Sequence, residues 1–144
     1  MFAVDTNILL YAAIEEFPEH AKAYELIESW RKGSTLWSVT WNCVYEFLRV
    51  STHAGVFGKP LILHSALDFI QDLRDSSSFS ILNEQDNHYE ILRELEARYP
   101  RVSANLVHDF HTAAILYERG VRMLYTADTD FLQFDFLQAI DPVH

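Results

Sequence analysis

The chain contains few of the residues that mark several classes of protein. Its 144 residues include one cysteine, four glycines and four prolines. Because Cys43 has no partner for an internal disulfide, a disulfide-stabilised secreted domain is excluded and a reducing cytoplasm is favoured. The low glycine and proline content excludes collagen-like and low-complexity chains. No apolar run approaches the ~18 residues needed to cross a bilayer, and no basic-then-apolar signal segment opens the chain, so no membrane association is expected.

Positive charge is also scarce. Eleven basic residues stand against 21 acidic ones, which gives a formal net charge of −10. A protein that coats nucleic acid through a broad basic face usually carries the opposite sign. The deficit does not exclude a nuclease, because cations bound in an acidic centre allow phosphate to approach. Apolar residues make up 49% of the chain, as in folded globular proteins, and the length predicts a single domain over 1–144.

Short apolar segments alternate with amphipathic helical patterns along the chain. Apolar residues spaced at i, i+3, i+4 and i+7 predict helices over 18–32, 41–52 and 107–120. Two further helices are predicted over 60–73, which Pro60 can open, and over 86–99, which Pro100 ends. Short apolar or β-branched runs predict strands over 1–4, 35–39, 79–82, 121–126 and 137–140. Such alternation is typical of an α/β domain with a mainly parallel sheet, in which ligands bind at the carboxyl ends of the strands.

Acidic residues follow two of the predicted strands. Asp5 comes directly after the first strand, and Asp128 and Asp130 follow the strand over 121–126. If both strands are parallel members of one sheet, the three carboxylates lie at the same edge. Acidic residues also favour strand-ending turns for purely structural reasons, and this alternative stays open for each residue taken singly.

Two further carboxylates lie in predicted helices. Asp109 falls in the first turn of the helix over 107–120, where the helix dipole favours a negative charge, so helix capping is an alternative role. Glu46 lies in mid-helix, where an i,i+3 pair with Arg49 is the structural alternative. Taken together with the strand-end residues, they indicate a site for a hard cation such as Mg²⁺ or Mn²⁺, which prefer oxygen ligands.

Histidine and tryptophan suggest other functions less strongly. His108 and His111 flank Asp109 and raise the alternative of a zinc hydrolase, but the sequence offers no further His or Cys cluster to complete such a site. Stacking on nucleic-acid bases is possible, and packing in the core is favoured, for Trp30, Trp37 and Trp41.

Four segments carry motifs in a fixed order along nearly the whole chain. They read V-D-T-N-I-L-L-Y-A at 4–12, E-F-L-R-V-S-T-H at 46–53, N-L-V-H-D-F-H-T-A-A at 105–114 and Y-T-A-D-T-D-F at 125–131. Together they resemble the PIN-domain family, and most closely the toxin component of VapBC-type toxin–antitoxin pairs.

The resemblance implies a three-layer α/β/α sandwich around a mainly parallel central sheet. It implies a Mg²⁺-dependent endoribonuclease, with Mn²⁺ able to substitute, that hydrolyses phosphodiester bonds of a structured RNA. It further implies a cognate antitoxin as partner and a homodimer; the cytoplasmic location is expected from the composition and from the lack of a membrane or signal segment. The alternative from another class is a non-catalytic protein whose acidic pocket holds a basic partner.

The resemblance also assigns residues to the site, position by position. The catalytic and metal-binding set that it implies is Asp5, Glu46, Asp109 and Asp128. The supporting residues that it implies are Asn7, Thr126 and Asp130.

Overall fold

The computed structural model describes residues 1–144, and a five-stranded sheet forms its centre. The strands are β1 (Phe2–Val4), β2 (Trp37–Thr40), β3 (Phe79–Leu82), β4 (Met123–Tyr125) and β5 (Gln138–Ile140). They lie in the order β3-β2-β1-β4-β5, and every neighbouring pair is parallel. The chain builds the sheet on one side of β1 and then on the other. The crevice at which such sheets bind ligands therefore lies between β1 and β4.

Six α-helices connect the strands. They are α1 (Thr6–Ala13), α2 (His20–Lys32), α3 (Trp41–Ser51), α4 (Leu63–Arg74), α5 (His88–Arg98) and α6 (Leu106–Glu118). A short 3₁₀ helix, Thr129–Gln133, follows β4. Each α-helix is too short or too polar to span a lipid bilayer. The predicted α/β class with a parallel sheet is confirmed.

The helices cover both faces of the sheet. Along β1, Phe2 and Val4 pack into a core cluster with residues of α1 to α4, such as Ile8. Ala3, between them in sequence, packs into a second cluster with Ala113 of α6. Successive residues of a strand point to opposite faces, so the two clusters lie on opposite sides of the sheet. Since α5 packs beside α6, the predicted three-layer α/β/α sandwich is confirmed.

The sequence pattern did not predict α1. Its residues are almost all apolar and most are buried, so the polar stripe that marks a surface helix is missing. The signal that was present is Asp5, which caps the helix. Helices predicted to start at Pro18 and Pro60 begin a few residues later, because proline suits the preceding turn as well as a helix start.

Candidate active site

Asp5 lies where β1 ends and α1 begins, and its carboxylate is buried. One oxygen, Oδ1, accepts a hydrogen bond from the backbone N–H of Thr6 at 2.8 Å. The other, Oδ2, accepts from the side-chain amide of Asn7 at 2.9 Å and from the hydroxyl of Thr126 at 2.7 Å. Three donors from the sheet edge and the helix start therefore fix the orientation of this carboxylate.

Asn7 and Thr126, the two side chains that donate to Asp5, also connect the start of α1 to the loop after β4. Asn7 accepts a hydrogen bond from the backbone N–H of Ala127 at 3.1 Å through Oδ1. The hydroxyl of Thr126 accepts from the backbone N–H of Asp128 at 3.0 Å. Asn7 and Thr126 thus contact Asp5 and hold the backbone that carries Asp128. These contacts are what a supporting role requires.

Asp109, Asp128 and Asp130 form the most compact part of the site. One oxygen from each lies within 4.8 Å of the others. Asp128 caps the 3₁₀ helix by accepting from the backbone N–H of Asp130 at 2.8 Å through Oδ1, which leaves Oδ2 open. Asp109 accepts no hydrogen bond from protein groups, so the helix-capping alternative does not describe it.

Glu46 lies in α3 and contacts the start of α1. Its Oε2 accepts a hydrogen bond from the hydroxyl of Thr6 at 3.1 Å. Arg49 does not come within ion-pairing distance of it, so the i,i+3 pair considered from the sequence is not formed. We define the carboxylate site as the five residues that converge here: Asp5, Glu46, Asp109, Asp128 and Asp130.

The carboxylate site concentrates negative charge without a counter-charge. No lysine, arginine or histidine lies within 4.0 Å of these five carboxylates. Burial raises the pKa of Asp5 to about 6, against the lowering effect of its hydrogen bonds. Burial, followed by the charges of Asp128, Asp5, Asp130 and Glu46, raises the pKa of Asp109 to about 7. Clustered carboxylates without a cationic partner repel one another, and a bound cation would relieve this repulsion.

A groove of about 640 Å³ opens beside Glu46. Its lining residues are Trp41, Asn42, Tyr45, Glu46, Arg49, Glu84, His108 and His111.

The prediction of core packing for the three tryptophans is confirmed for Trp37, which is fully buried, and for Trp30, which packs against the core. It is wrong for Trp41, which is 43% exposed because it is the first residue of α3 and lies outside the sheet.

The sequence matches the family of the PIN domain over residues 2–137, which is nearly its whole length. The chain belongs to the PIN-domain family.

Relatives of this PIN domain include ribonucleases. The chain is 29% identical over 143 residues to a protein of Mycobacterium tuberculosis named ribonuclease VapC33, and the match covers 99% of each chain.

Two solved structures share its fold. The first is M. tuberculosis VapC20, described as a toxin that cleaves the sarcin–ricin loop, with a TM-score of 0.68 and 17% identity; the match covers 95% of this chain and 97% of that one. The second is a toxin–antitoxin complex from Klebsiella pneumoniae, with a TM-score of 0.62 and 18% identity over 99% and 98% of the two chains.

The PIN-domain site contains side chains that the sequence reasoning missed. Thr6 bridges Glu46 to the Asp5 side of the site, a role that the D-T-N motif could have suggested. Cys43 is buried with its Sγ 3.8 Å from Oδ1 of Asp5 and 3.6 Å from the hydroxyl of Thr112. Burial and the charge of Asp5 raise the pKa of this thiol to about 11, so it stays protonated beside the carboxylate.

The two histidines that flank Asp109 do not join it in one metal site. His111 lies with its Nε2 2.5 Å from Oε1 of Glu84, and His108 lines the groove. Neither belongs to the compact group that contains Asp109. The geometry gives no support to the zinc hydrolase centred on Asp109.

Proposed function

We propose that this PIN domain is a divalent-metal-dependent endoribonuclease that hydrolyses phosphodiester bonds of RNA. We also propose that residues 1–144 form a single domain. The observation that carries the proposal is the convergence of five carboxylates at the β1/β4 crevice with no basic side chain to neutralise them. The family and the ribonuclease relatives support the same function.

The donor set fits Mg²⁺, with Mn²⁺ able to substitute. Both ions prefer carboxylate oxygens, and Mg²⁺ commonly binds through one or two carboxylates while water and substrate phosphate complete its shell. Asp128 has an open oxygen and Asp109 two, and both lie in the compact group. We assign metal binding to Asp5, Glu46, Asp109 and Asp128, and support to Asn7, Thr126 and Asp130.

The residues of the chain perform distinct tasks in this proposal. Asp5 keeps a fixed orientation because three donors hold its oxygens. Burial and the neighbouring carboxylates raise the pKa of Asp109 to about 7, and a bound cation would favour its ionised form, so metal binding would be coupled to proton release. A bound divalent cation supplies Lewis acidity, which activates water for attack and neutralises the charge that develops on phosphate.

The groove beside Glu46 is the proposed path of the RNA. Trp41 and Tyr45 are exposed and offer aromatic faces on which unpaired bases stack. Arg49 lines the same groove and offers a cation to a backbone phosphate. With a net charge of −10, the protein should bind arbitrary RNA weakly. We therefore propose a structured RNA as substrate. We also propose the cytoplasm as location, because the single cysteine of the chain is a free thiol.

Incubation of the purified protein with structured RNA tests the function. We expect cleavage with Mg²⁺ or Mn²⁺, none with EDTA, and none with Asp5→Asn. Asp68→Asn is the matched control, because it makes the same charge change at an exposed residue of α4 outside the site. If the protein is instead a non-catalytic acidic pocket, no divalent ion will produce cleavage. Loss of cutting in Asp5→Asn excludes a contaminating nuclease.

A protein partner is the second part of the proposal. The fold is shared with a toxin–antitoxin complex, and the uncompensated carboxylates attract a cationic side chain as well as a metal. Arginine forms bidentate hydrogen bonds with carboxylates. We propose that a cognate antitoxin inserts an Arg or Lys into the carboxylate site and competes with Mg²⁺. Changing the antitoxin's basic residues to alanine should restore RNA cleavage in the complex; undiminished inhibition would contradict competition between the antitoxin and Mg²⁺.

The homodimer implied by the resemblance stays a prediction.

A further inference from the structure

A second group of potential metal ligands lies outside the carboxylate site. Glu84, from the loop after β3, lies beside His88, the first residue of α5, and His111 of α6. One ligand atom of each lies within 4.8 Å of the other two. We call these three residues, with Glu118 behind them, the histidine cluster. The residues come from separate parts of the chain and meet only through the packing of α5 against α6.

One histidine of the cluster is held in the way that metal-binding histidines are commonly held. Nδ1 of His88 lies 2.9 Å from Oε2 of Glu118, whose side chain is fully buried. The other oxygen of Glu118 accepts a hydrogen bond from the backbone N–H of Gln85 at 3.0 Å, which fixes the carboxylate. Nε2 of His88 has no hydrogen-bond partner in the protein. A carboxylate behind the ring fixes its orientation and leaves the second nitrogen for a cation.

A simple ion pair explains only part of this arrangement. His111 and Glu84 are in hydrogen-bonding contact, and such a half-exposed pair is common on protein surfaces. It does not explain why a second imidazole, with its ring centre 5.9 Å from that of His111, converges on the same place. Two imidazoles and one carboxylate are the donor set of several zinc sites, whose fourth position is open.

We propose that Glu84, His88 and His111 bind a transition-metal cation of the zinc type, in a site separate from the carboxylate site. The nitrogen donors select Zn²⁺ over Mg²⁺, which binds oxygen. Glu84 is 41% exposed in its side chain, so it has room to turn from His111 toward the ion. The bound ion would link the loop after β3 to α5 and α6. Glu84 and His111 line the groove beside Glu46, so the ion would lie at the wall of that groove.

Cobalt spectroscopy on the untagged full-length protein tests this site. Co²⁺ with two imidazoles in four-coordinate geometry absorbs strongly in the visible range, whereas six-coordinate Co²⁺ in a carboxylate site absorbs weakly. We expect strong bands at one equivalent of Co²⁺ that Zn²⁺ displaces and excess Mg²⁺ does not. The bands should disappear in His88→Gln and His111→Ala and persist in Asp109→Asn.

His108→Ala is the matched control, because His108 lies on the same helix and in the same groove but outside the cluster. It should leave the bands unchanged. Glu118→Gln should weaken Co²⁺ binding about 10- to 100-fold through loss of orientation of His88. Circular dichroism of each variant establishes that it is folded. The proposal is overturned if one equivalent of Co²⁺ gives no strong bands, or if folded His88→Gln and His111→Ala retain them.

Discussion

The carboxylate site and the histidine cluster take residues from the same helix but differ in the partners that they give their carboxylates. Asp109 belongs to the first and His111 to the second, two residues further along α6. In the carboxylate site like charges meet without a partner, and burial raises the pKa of Asp5 to about 6. In the histidine cluster, hydrogen bonds from its own backbone N–H and from His111 lower the pKa of Glu84.

This difference shows which site depends on a cation from outside. In the histidine cluster each imidazole already has a carboxylate as hydrogen-bond partner, so a metal there would replace the contact between His111 and Glu84. The carboxylate site lacks such contacts at Asp109, so a cation removes repulsion between its carboxylates. Two positions along a helix correspond to about 200° of rotation. Asp109 and His111 therefore project from different faces of α6, one into each site.

Loss of a carboxylate at the compact group should have the largest effect on activity. We expect Asp109→Asn to reduce the RNA cleavage rate at least about 100-fold, the scale seen when one stabilising group of an active site is removed. Single-turnover cleavage at saturating Mg²⁺ measures it, with Asp68→Asn as the control of equal charge. A rate within a few-fold of the unmodified protein would mean that Asp109 does not belong to the metal site.

Loss of a brace on Asp5 should have an intermediate effect. Thr126→Val removes the hydroxyl that donates to Asp5 and accepts from the backbone of Asp128. By the precedent of residues that orient metal ligands, we expect Mg²⁺ affinity to fall about 10- to 100-fold. The Mg²⁺ concentration that gives half-maximal cleavage measures this change. Thr126→Ser should restore most of the affinity; failure of the serine to do so would indicate that the methyl group, rather than the hydroxyl, matters.

The groove between the two sites should contribute a smaller effect on substrate binding. Trp41→Ala removes one exposed aromatic face, and stacking of a base on such a face is worth about 1–3 kcal/mol. We expect KM for RNA to rise about tenfold while kcat stays within a few-fold. Trp41→Phe, which keeps an aromatic face, should lie much closer to the unmodified protein. A fall in kcat with unchanged KM would place Trp41 outside the RNA path.

The smallest effect concerns stability as a function of pH. Raised folded-state pKa values mean that the native chain binds more protons than the unfolded chain between about pH 4 and 7. The contribution of Asp5 and Asp109 is therefore fully present below about pH 4 and is lost as pH rises through 6 to 7. Without metal, the thermal midpoint should be several degrees higher at pH 5 than at pH 8. At pH 8, addition of Mg²⁺ should also raise the midpoint by several degrees.

The double variant Asp5→Asn Asp109→Asn serves as the control for this pH effect, because it removes the two carboxyl groups with raised pKa values and leaves every other titratable group in place. It should show a smaller difference between pH 8 and pH 5 and a smaller response to Mg²⁺. An unchanged pH dependence in the double variant would assign the effect to groups outside the carboxylate site.

Residues near strand ends could be predicted from the sequence. The strand patterns led to Asp5, Asp128 and Asp130 at one edge of a parallel sheet, and the structure places them there. Glu46 and Asp109 were weaker candidates, because mid-helix and first-turn acids have ordinary structural roles, and the family resemblance assigned them to the site. The periodicity of apolar residues along a helix does not predict which other helix it packs against. For this reason the pairing of His88 with His111, the contact of Cys43 with Asp5 and the exposure of Trp41 were not predicted.

Binding of Mn²⁺ tests most directly the claim that the carboxylate site is the divalent-metal centre of this PIN domain. Electron paramagnetic resonance counts free Mn²⁺ during a titration of the unmodified protein, Asp109→Asn and His111→Ala. We predict saturable binding in the unmodified protein, at least about tenfold weaker binding in Asp109→Asn and unchanged binding in His111→Ala. Equal Mn²⁺ affinity in Asp109→Asn, or loss of it in His111→Ala, would contradict the account.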